Sequence, residues 1–192
     1  MVFLLFGLAI FFASHLVPTR VEWRQALVGR FGELAYKLGF SLVASVGLVL
    51  IVIGVAATRG SSADFQIWSP PVWTRHLAFT VMLPAFVLVV SAYVPSHLRD
   101  WIGHPMVTGV ALWAAAHLLA NGDLLAVLLF GSFLIYAVYD RFSLLRRAPA
   151  PRPPARGWIG DAAAIGAGLV LWATTLLWLH ALAGVPLLTV MR

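Results

Sequence analysis

The chain has 192 residues, of which 61% are hydrophobic and only 10% are charged. A soluble domain of this size does not need so much apolar surface, whereas apolar runs of about 18 or more residues are typical of membrane helices. The net charge of +6 does not indicate nucleic-acid binding, because the basic residues lie between the apolar runs, where cytoplasmic loops collect them. The absence of cysteine excludes disulfides and thiolate ligands.

Six apolar spans are predicted, and we interpret residues 1–192 as one integral membrane domain. The third span contains Pro84, which predicts a bend. The fold class that follows is all-α, a polytopic bundle of about six transmembrane helices. In chain order the spans cover residues 2–17, 38–57, 76–94, 105–120, 123–140 and 160–182.

The segments between the spans differ in character. Residues 18–37 predict an amphipathic helix in the membrane interface, because four apolar positions share one helical face among charged residues. Two polar loops are predicted at 59–75 and 95–103. The stretch 148–157 is rich in proline and arginine and predicts an exposed linker. The four face-sharing positions are Trp23, Leu27, Phe31 and Leu34.

The basic residues predict how the chain is oriented. When the loops are counted alternately, most of the Lys and Arg fall on one side, which the positive-inside rule makes cytoplasmic. Both termini then lie in the periplasm of a bacterial inner membrane. The cytoplasmic group is Arg20, Arg24, Arg30, Lys37, Arg99, Arg141, Arg146, Arg147, Arg152 and Arg156, and the other is Arg59, Arg75 and Arg192.

The stretch 104–123 has the most informative local pattern. Pro105 suits the first turn of a helix, Asn121-Gly122 predicts a left-handed helix end, and Asp123 can cap the next helix. His117 is the single titratable side chain within this span. An ionisable group in a membrane helix usually faces the protein interior.

The histidines are the residues of this sequence best suited to bind a metal or to transfer a proton. A membrane histidine can be a satisfied core residue, a proton relay or a metal ligand. Haem suits histidines that converge in a helix bundle, because it needs no cysteine, whereas zinc would require three or four ligands. The candidates are His15, His76, His104, His117 and His180.

Several motifs are similar to those of one family, the NnrU family of bacterial membrane proteins. The similarity covers nearly the whole chain and is most specific between residues 104 and 123. The motifs are His104-Pro105-x3-Gly109, Leu112-Trp113, Ala116-His117 through Gly122-Asp123, Phe11-Phe12-x2-His15, Arg75-His76-Leu77, the Asp140-Arg141 turn, and His180 with Gly184-Val185-Pro186.

The resemblance implies a cofactor. The family includes the plastid 15-cis-zeta-carotene isomerases, haem b enzymes whose ligands carry over onto His15 and His117. Those enzymes have a cysteine three residues before the second ligand, where this chain has Ala114, so a thiolate switch is not available. The rival ligands are His76, His104 and His180.

Predicted depth in the membrane disagrees with the carried-over pair. His15 is expected near the inner face, whereas His117 follows His104 by 13 residues, about 19 Å along a helix. By depth, His76 or His180 would be the better partner of His117.

These features predict a haem-dependent isomerase or redox protein that acts on a lipid-soluble, polyene-type molecule, or a role linked to denitrification, with which bacterial relatives are associated. The expected partners are membrane lipid and that small molecule. Two alternatives stay open. The segment His104-Pro105-x3-Gly109 also resembles isoprenylcysteine-type methyltransferases, which use S-adenosylmethionine. The basic linker suits a non-enzymatic assembly factor for a nitrogen-oxide respiratory complex.

Overall fold

The computed structural model describes residues 1–147 and 152–185, and these residues form helices and no β-strand. The all-α prediction is confirmed. The helices are α1 (Val2–Leu16), α2 (Val21–Phe31), α3 (Glu33–Thr58), α4 (Val72–Ser91), α5 (His97–Ile102), α6 (Pro105–Ala120), α7 (Leu124–Leu145), α8 (Gly157–Thr174) and the short α9 (His180–Leu182).

Five helical segments are long and apolar enough to cross a membrane. They are Val2–Thr19, Glu33–Thr58, Val72–Ser91, Leu124–Leu145 and Gly157–Leu182. The sixth predicted span is α6, an apolar helix of 16 residues, about 24 Å long. The chain is therefore a multi-pass helical membrane protein, as its composition predicts.

Several predicted boundaries change. The amphipathic segment is divided at Gly32, whose φ of +83° ends α2, and α3 starts directly afterwards. The predicted loop 95–103 contains α5, because the Ser96 hydroxyl accepts a hydrogen bond from the Arg99 backbone N–H and caps the helix. The helix α4 runs through Pro84, and α7 continues past Asp140.

The contacts divide the chain into two compact units, and the prediction of a single domain stays a prediction. Unit 1 comprises Met1–Ser69 and Asn121–Tyr136, and unit 2 comprises Pro70–Ala120 and Ala137–Arg192. In unit 1, α1 packs along α3. The core of unit 1 is formed by Leu4, Leu8, Ile51 and Leu125.

In unit 2, α4 packs against both α6 and α8. Its core contains Ala78, Met82 and Ala116, with Trp113 and Trp172 packed around them. Small residues allow these backbones to approach closely, as is common between membrane helices.

The structure confirms the predicted start of α6 and the predicted cap of α7, but not the predicted ending of α6. The helix begins at Pro105 as predicted, and Asp123 Oδ1 accepts the Ala126 N–H at 2.8 Å, which confirms the predicted cap of α7. The left-handed ending is wrong, because neither Asn121 nor Gly122 has a positive φ.

Gly122 instead permits a close backbone approach within unit 1. Its carbonyl accepts the backbone N–H groups of Ile67 and Trp68, at 2.8 and 3.1 Å. A Cβ atom at this position would lie 1.9 Å from the Trp68 carbonyl oxygen, so no side chain fits there.

The predicted linker is only partly within the described residues, since 148–151 lie outside them. Its described part is irregular and mostly exposed, but hydrogen bonds attach it to other segments of unit 2. Buried Arg99 donates to the Pro153 carbonyl, and the Arg156 N–H donates to the Pro95 carbonyl at 3.1 Å. The Arg152 guanidinium donates to the Gly103 carbonyl.

Candidate functional site

Two of the candidate histidines face each other within unit 2. His117 comes from the last turn of α6, and His180 follows a π-helical turn, Thr175–Leu179, that continues α8. Both side chains are half-buried. Their ring centroids are 6.2 Å apart, and the planes differ by only 7°. The tertiary structure thus brings together a pair that lies 63 positions apart in sequence.

Each of the two rings is oriented by its own helix. His117 Nδ1 lies 2.8 Å from the Trp113 carbonyl oxygen, and His180 Nδ1 lies 2.9 Å from the Thr175 carbonyl oxygen. A carbonyl only accepts hydrogen bonds, so each Nδ1 carries the hydrogen and each Nε2 carries the lone pair. This arrangement is the one that usually orients a metal-binding histidine.

The π-helical turn determines where His180 lies. An α-helical histidine bonds back to the carbonyl four residues earlier, as His117 does, whereas His180 bonds back five residues. The additional residue in the turn changes the direction in which the next side chain points. Single π-helical turns of this kind occur frequently at functional sites.

Aromatic side chains border the pair. The Trp113 ring centroid lies 5.1 Å from that of His117, and Trp113 and Trp172 both pack on the apolar core of unit 2. Ala114 and Ala116 are fully buried. The surroundings of the pair are therefore apolar.

His15 lies in unit 1, in an aromatic environment of its own. Its Nδ1 lies 2.8 Å from the Phe11 carbonyl oxygen, and its ring stacks on Phe11 with centroids 4.0 Å apart. Phe40 approaches its edge at 5.1 Å. The Tyr136 hydroxyl donates to the His15 carbonyl at 3.0 Å. Like His117 and His180, this ring is oriented by a backbone carbonyl of its own helix.

An apolar groove of about 390 Å³ lies in unit 1 between α1, α2 and α3. Its lining includes Leu27, Phe31, Phe40 and Val43, and also Ser14, the residue before His15. The groove has the dimensions and the lining to hold part of an apolar chain.

The remaining histidines have other surroundings. His76 is exposed on α4, and His97 pairs with Asp161 at 2.7 Å. The His104 carbonyl accepts the Thr108 N–H at 3.2 Å where α6 begins. The described residues contain no group of three or more His, Asp or Glu side chains suited to one metal ion. The candidate site is therefore a two-histidine site.

His104 lies among positive charges at the opposite end of α6 from His117. Burial lowers the pKa of His104 below its usual range, and the nearby guanidinium groups of Arg141, Arg152 and Arg147 lower the pKa further. Asp140 acts in the opposite direction. The sequence does not reveal this cluster, because the loop charges predict only on which side of the membrane Arg141 and Arg152 lie.

The comparison with known protein families agrees with the motifs that contain these histidines. The family described as NnrU protein matches residues 3–187 of the chain. The chain belongs to the NnrU family. No curated protein and no solved structure matches it. The matched range contains His15 of unit 1 and His117 and His180 of unit 2. It also contains the motifs around His117 and His180.

Proposed function

We propose that this NnrU-family membrane protein binds haem b through His117, and that it acts as an isomerase or redox protein on a lipid-soluble, polyene-type molecule. The observation that carries the proposal is the parallel His117–His180 pair in unit 2. The protein would work in the bacterial inner membrane, with both termini in the periplasm.

The proximity of the two rings supports a shared haem site. A metal-bound imidazole nitrogen lies about 2 Å from the metal, so two histidines that share one iron atom would have to lie close together. The observed separation is 6.2 Å. The Nδ1 bonds to the Trp113 and Thr175 carbonyls leave Nε2 of both rings as the ligating atom.

The second ligand of His117 has two candidates. The resemblance to the plastid isomerases implies His15, and the geometry within unit 2 favours His180. We expect His180 to be the second ligand, because its ring lies beside that of His117 in unit 2.

Haem iron, when bound, supplies the redox chemistry. The chain's own residues bind and orient the group and exclude water from it. Trp113 and Trp172 provide the apolar surroundings that favour a dry site. Ala114 occupies the position at which a ligand switch would need a cysteine thiolate. The ligands that this chain offers to the iron are therefore imidazoles.

An absorption spectrum of the purified protein tests the proposal. Protein from haem-sufficient cells is expected to show a Soret band that shifts on reduction with dithionite, and His117→Ala is expected to lose it. If His180 is the second ligand, His180→Ala converts low-spin iron to high-spin iron, as seen by electron paramagnetic resonance, and His15→Ala leaves the spin state unchanged.

His76→Ala is the matched control, since His76 is an exposed histidine of unit 2. Its spectrum is expected to equal that of the unchanged protein. Absence of any Soret band would overturn haem binding itself, whereas a spin-state change in His15→Ala but not in His180→Ala would restore the pair implied by the resemblance.

The denitrification-linked role, the methyltransferase and the assembly factor stay hypotheses. Calorimetric titration with S-adenosylhomocysteine tests the methyltransferase directly, since that hypothesis requires binding. Co-purification of an intact oxidoreductase subunit tests the assembly factor.

A further inference from the structure

Arg141, in the last part of α7, has a buried guanidinium nitrogen without a partner. Its Nη1 atom is shielded from solvent and has no hydrogen-bond partner among the described residues. A buried charged donor that makes no hydrogen bond is costly. Native structures therefore supply a partner for such a group, from the protein or from a bound molecule.

Arg141 is one of three arginines that act on His104 in unit 2. Arg141, Arg147 and Arg152 all act electrostatically on His104, which places the four side chains in one cluster of unit 2. The Asp140 carboxylate acts on His104 in the opposite direction, and it is paired with Arg147. Three guanidinium groups and the Asp140 carboxylate therefore act on His104, and together these four groups carry a net positive charge.

The cluster lies where a membrane interface is expected. Phe142 and Leu145, on the same helix end, are 60% and 63% exposed, and Trp101 of α5 is 78% exposed. Exposed aromatic residues beside basic ones are typical of the headgroup level of a bilayer. The orientation predicted from the loop charges assigns Arg141 to the cytoplasmic face.

We propose that Arg141, with Arg147, Arg152 and His104, binds an anionic phosphate group, and that its source is the headgroup of a membrane phospholipid. Arginine suits this ligand because its planar fork donates two parallel hydrogen bonds to phosphate oxygens. Basic pockets at the ends of membrane helices bind anionic headgroups in this way. The site is separate from the haem proposal, and neither depends on the other.

Thermal unfolding in lipid nanodiscs tests the site. In phosphatidylcholine containing phosphatidylglycerol, the unfolding temperature of the unchanged protein is expected to rise by at least about 2 °C over phosphatidylcholine alone. Arg141→Gln is expected to lose this rise. Arg146→Gln is the matched control, because it removes the same charge from an exposed side chain of the same helix end and is expected to keep the rise.

The variant itself is expected to fold. Since Arg141→Gln removes a buried nitrogen that has no partner, its unfolding temperature in phosphatidylcholine alone should be no lower than that of the unchanged protein. Arg141→Lys keeps the charge without the fork and is expected to retain only part of the rise.

Inorganic phosphate, titrated in neutral detergent at constant ionic strength, distinguishes the two sources. Stabilisation by phosphate that Arg141→Gln removes and Arg146→Gln retains would support the phosphate site but assign it to a soluble ligand. An equal response of the two variants to phosphatidylglycerol, or no response of the unchanged protein to either probe, would overturn the proposal.

Discussion

At the scale of single residues, the surroundings of His104 lower its pKa. Burial and three guanidinium groups disfavour its protonated form, so its pKa lies below the usual 6.5. In the unfolded chain the same imidazole takes up a proton more readily. The unfolded state therefore binds more protons than the folded state, and stability falls as the pH decreases through 6.5 towards the folded pKa.

Replacing Arg141 tests this argument. In Arg141→Gln we expect the pKa of His104 to rise towards its usual value, because the largest of the electrostatic contributions is removed. Nuclear magnetic resonance of protein with labelled histidine measures the pKa directly. Arg146→Gln should leave it nearly unchanged, and an equal rise in both variants would contradict a specific effect of Arg141.

At the scale of elements, α1 and α3 are held together by a backbone contact. A Cβ atom added at Gly54 would lie 2.2 Å from the Leu4 nitrogen, and one at Gly47 would lie 2.7 Å from the Phe11 nitrogen. Glycines seven positions apart share one helical face, so α3 presents a continuous smooth surface to α1. Such surfaces drive helix association where no hydrophobic effect operates between helices.

Substitution of Gly54 is expected to separate these helices. Gly54→Val should lower stability by about 1–3 kcal/mol, because the backbones must move apart to hold the side chain. Gly39→Val is the control on the same helix, since a Cβ at Gly39 meets nothing within 4 Å. Thermal unfolding in detergent measures both variants, and equal losses would show that the Gly54 contact is not responsible.

At the scale of the whole molecule, the charge distribution predicts orientation in the membrane. Because the chain has no cysteine, a single introduced cysteine reports its side without interference. We expect Ser62→Cys to react with a membrane-impermeant maleimide in intact spheroplasts, and Arg146→Cys to react only after the membrane is opened. Both positions are exposed, and the reverse pattern would place both termini in the cytoplasm.

The sequence alone predicted the class of protein and much of its local structure. Hydropathy is a sum over neighbouring residues, so the six apolar segments could be located from the chain. Pro105 at the start of α6 and the Asp123 cap of α7 follow from hydrogen bonds that span three or four residues. The motifs around His117 pointed to the NnrU family, which the match over residues 3–187 shows.

The contacts between distant segments could not be predicted in this way. The carboxylate of Asp161 accepts the backbone N–H of His97 at 2.8 Å across 64 residues, and Gly122 adjoins Trp68 rather than ending α6 in a left-handed turn. No local pattern encodes such partners, because they depend on how helices rotate and pack against each other.

Composition and short-range pattern therefore determined that this is a helical membrane protein with histidines in its spans. Only the tertiary structure decided that His180, one of several rivals in the sequence, faces His117 at 6.2 Å, and that Arg141 Nη1 is buried. The physical reason is that hydropathy and capping depend on residues close together in the chain. The direction of a side chain across the bundle depends instead on helix packing, and on local features such as the additional residue in the π-helical turn before His180.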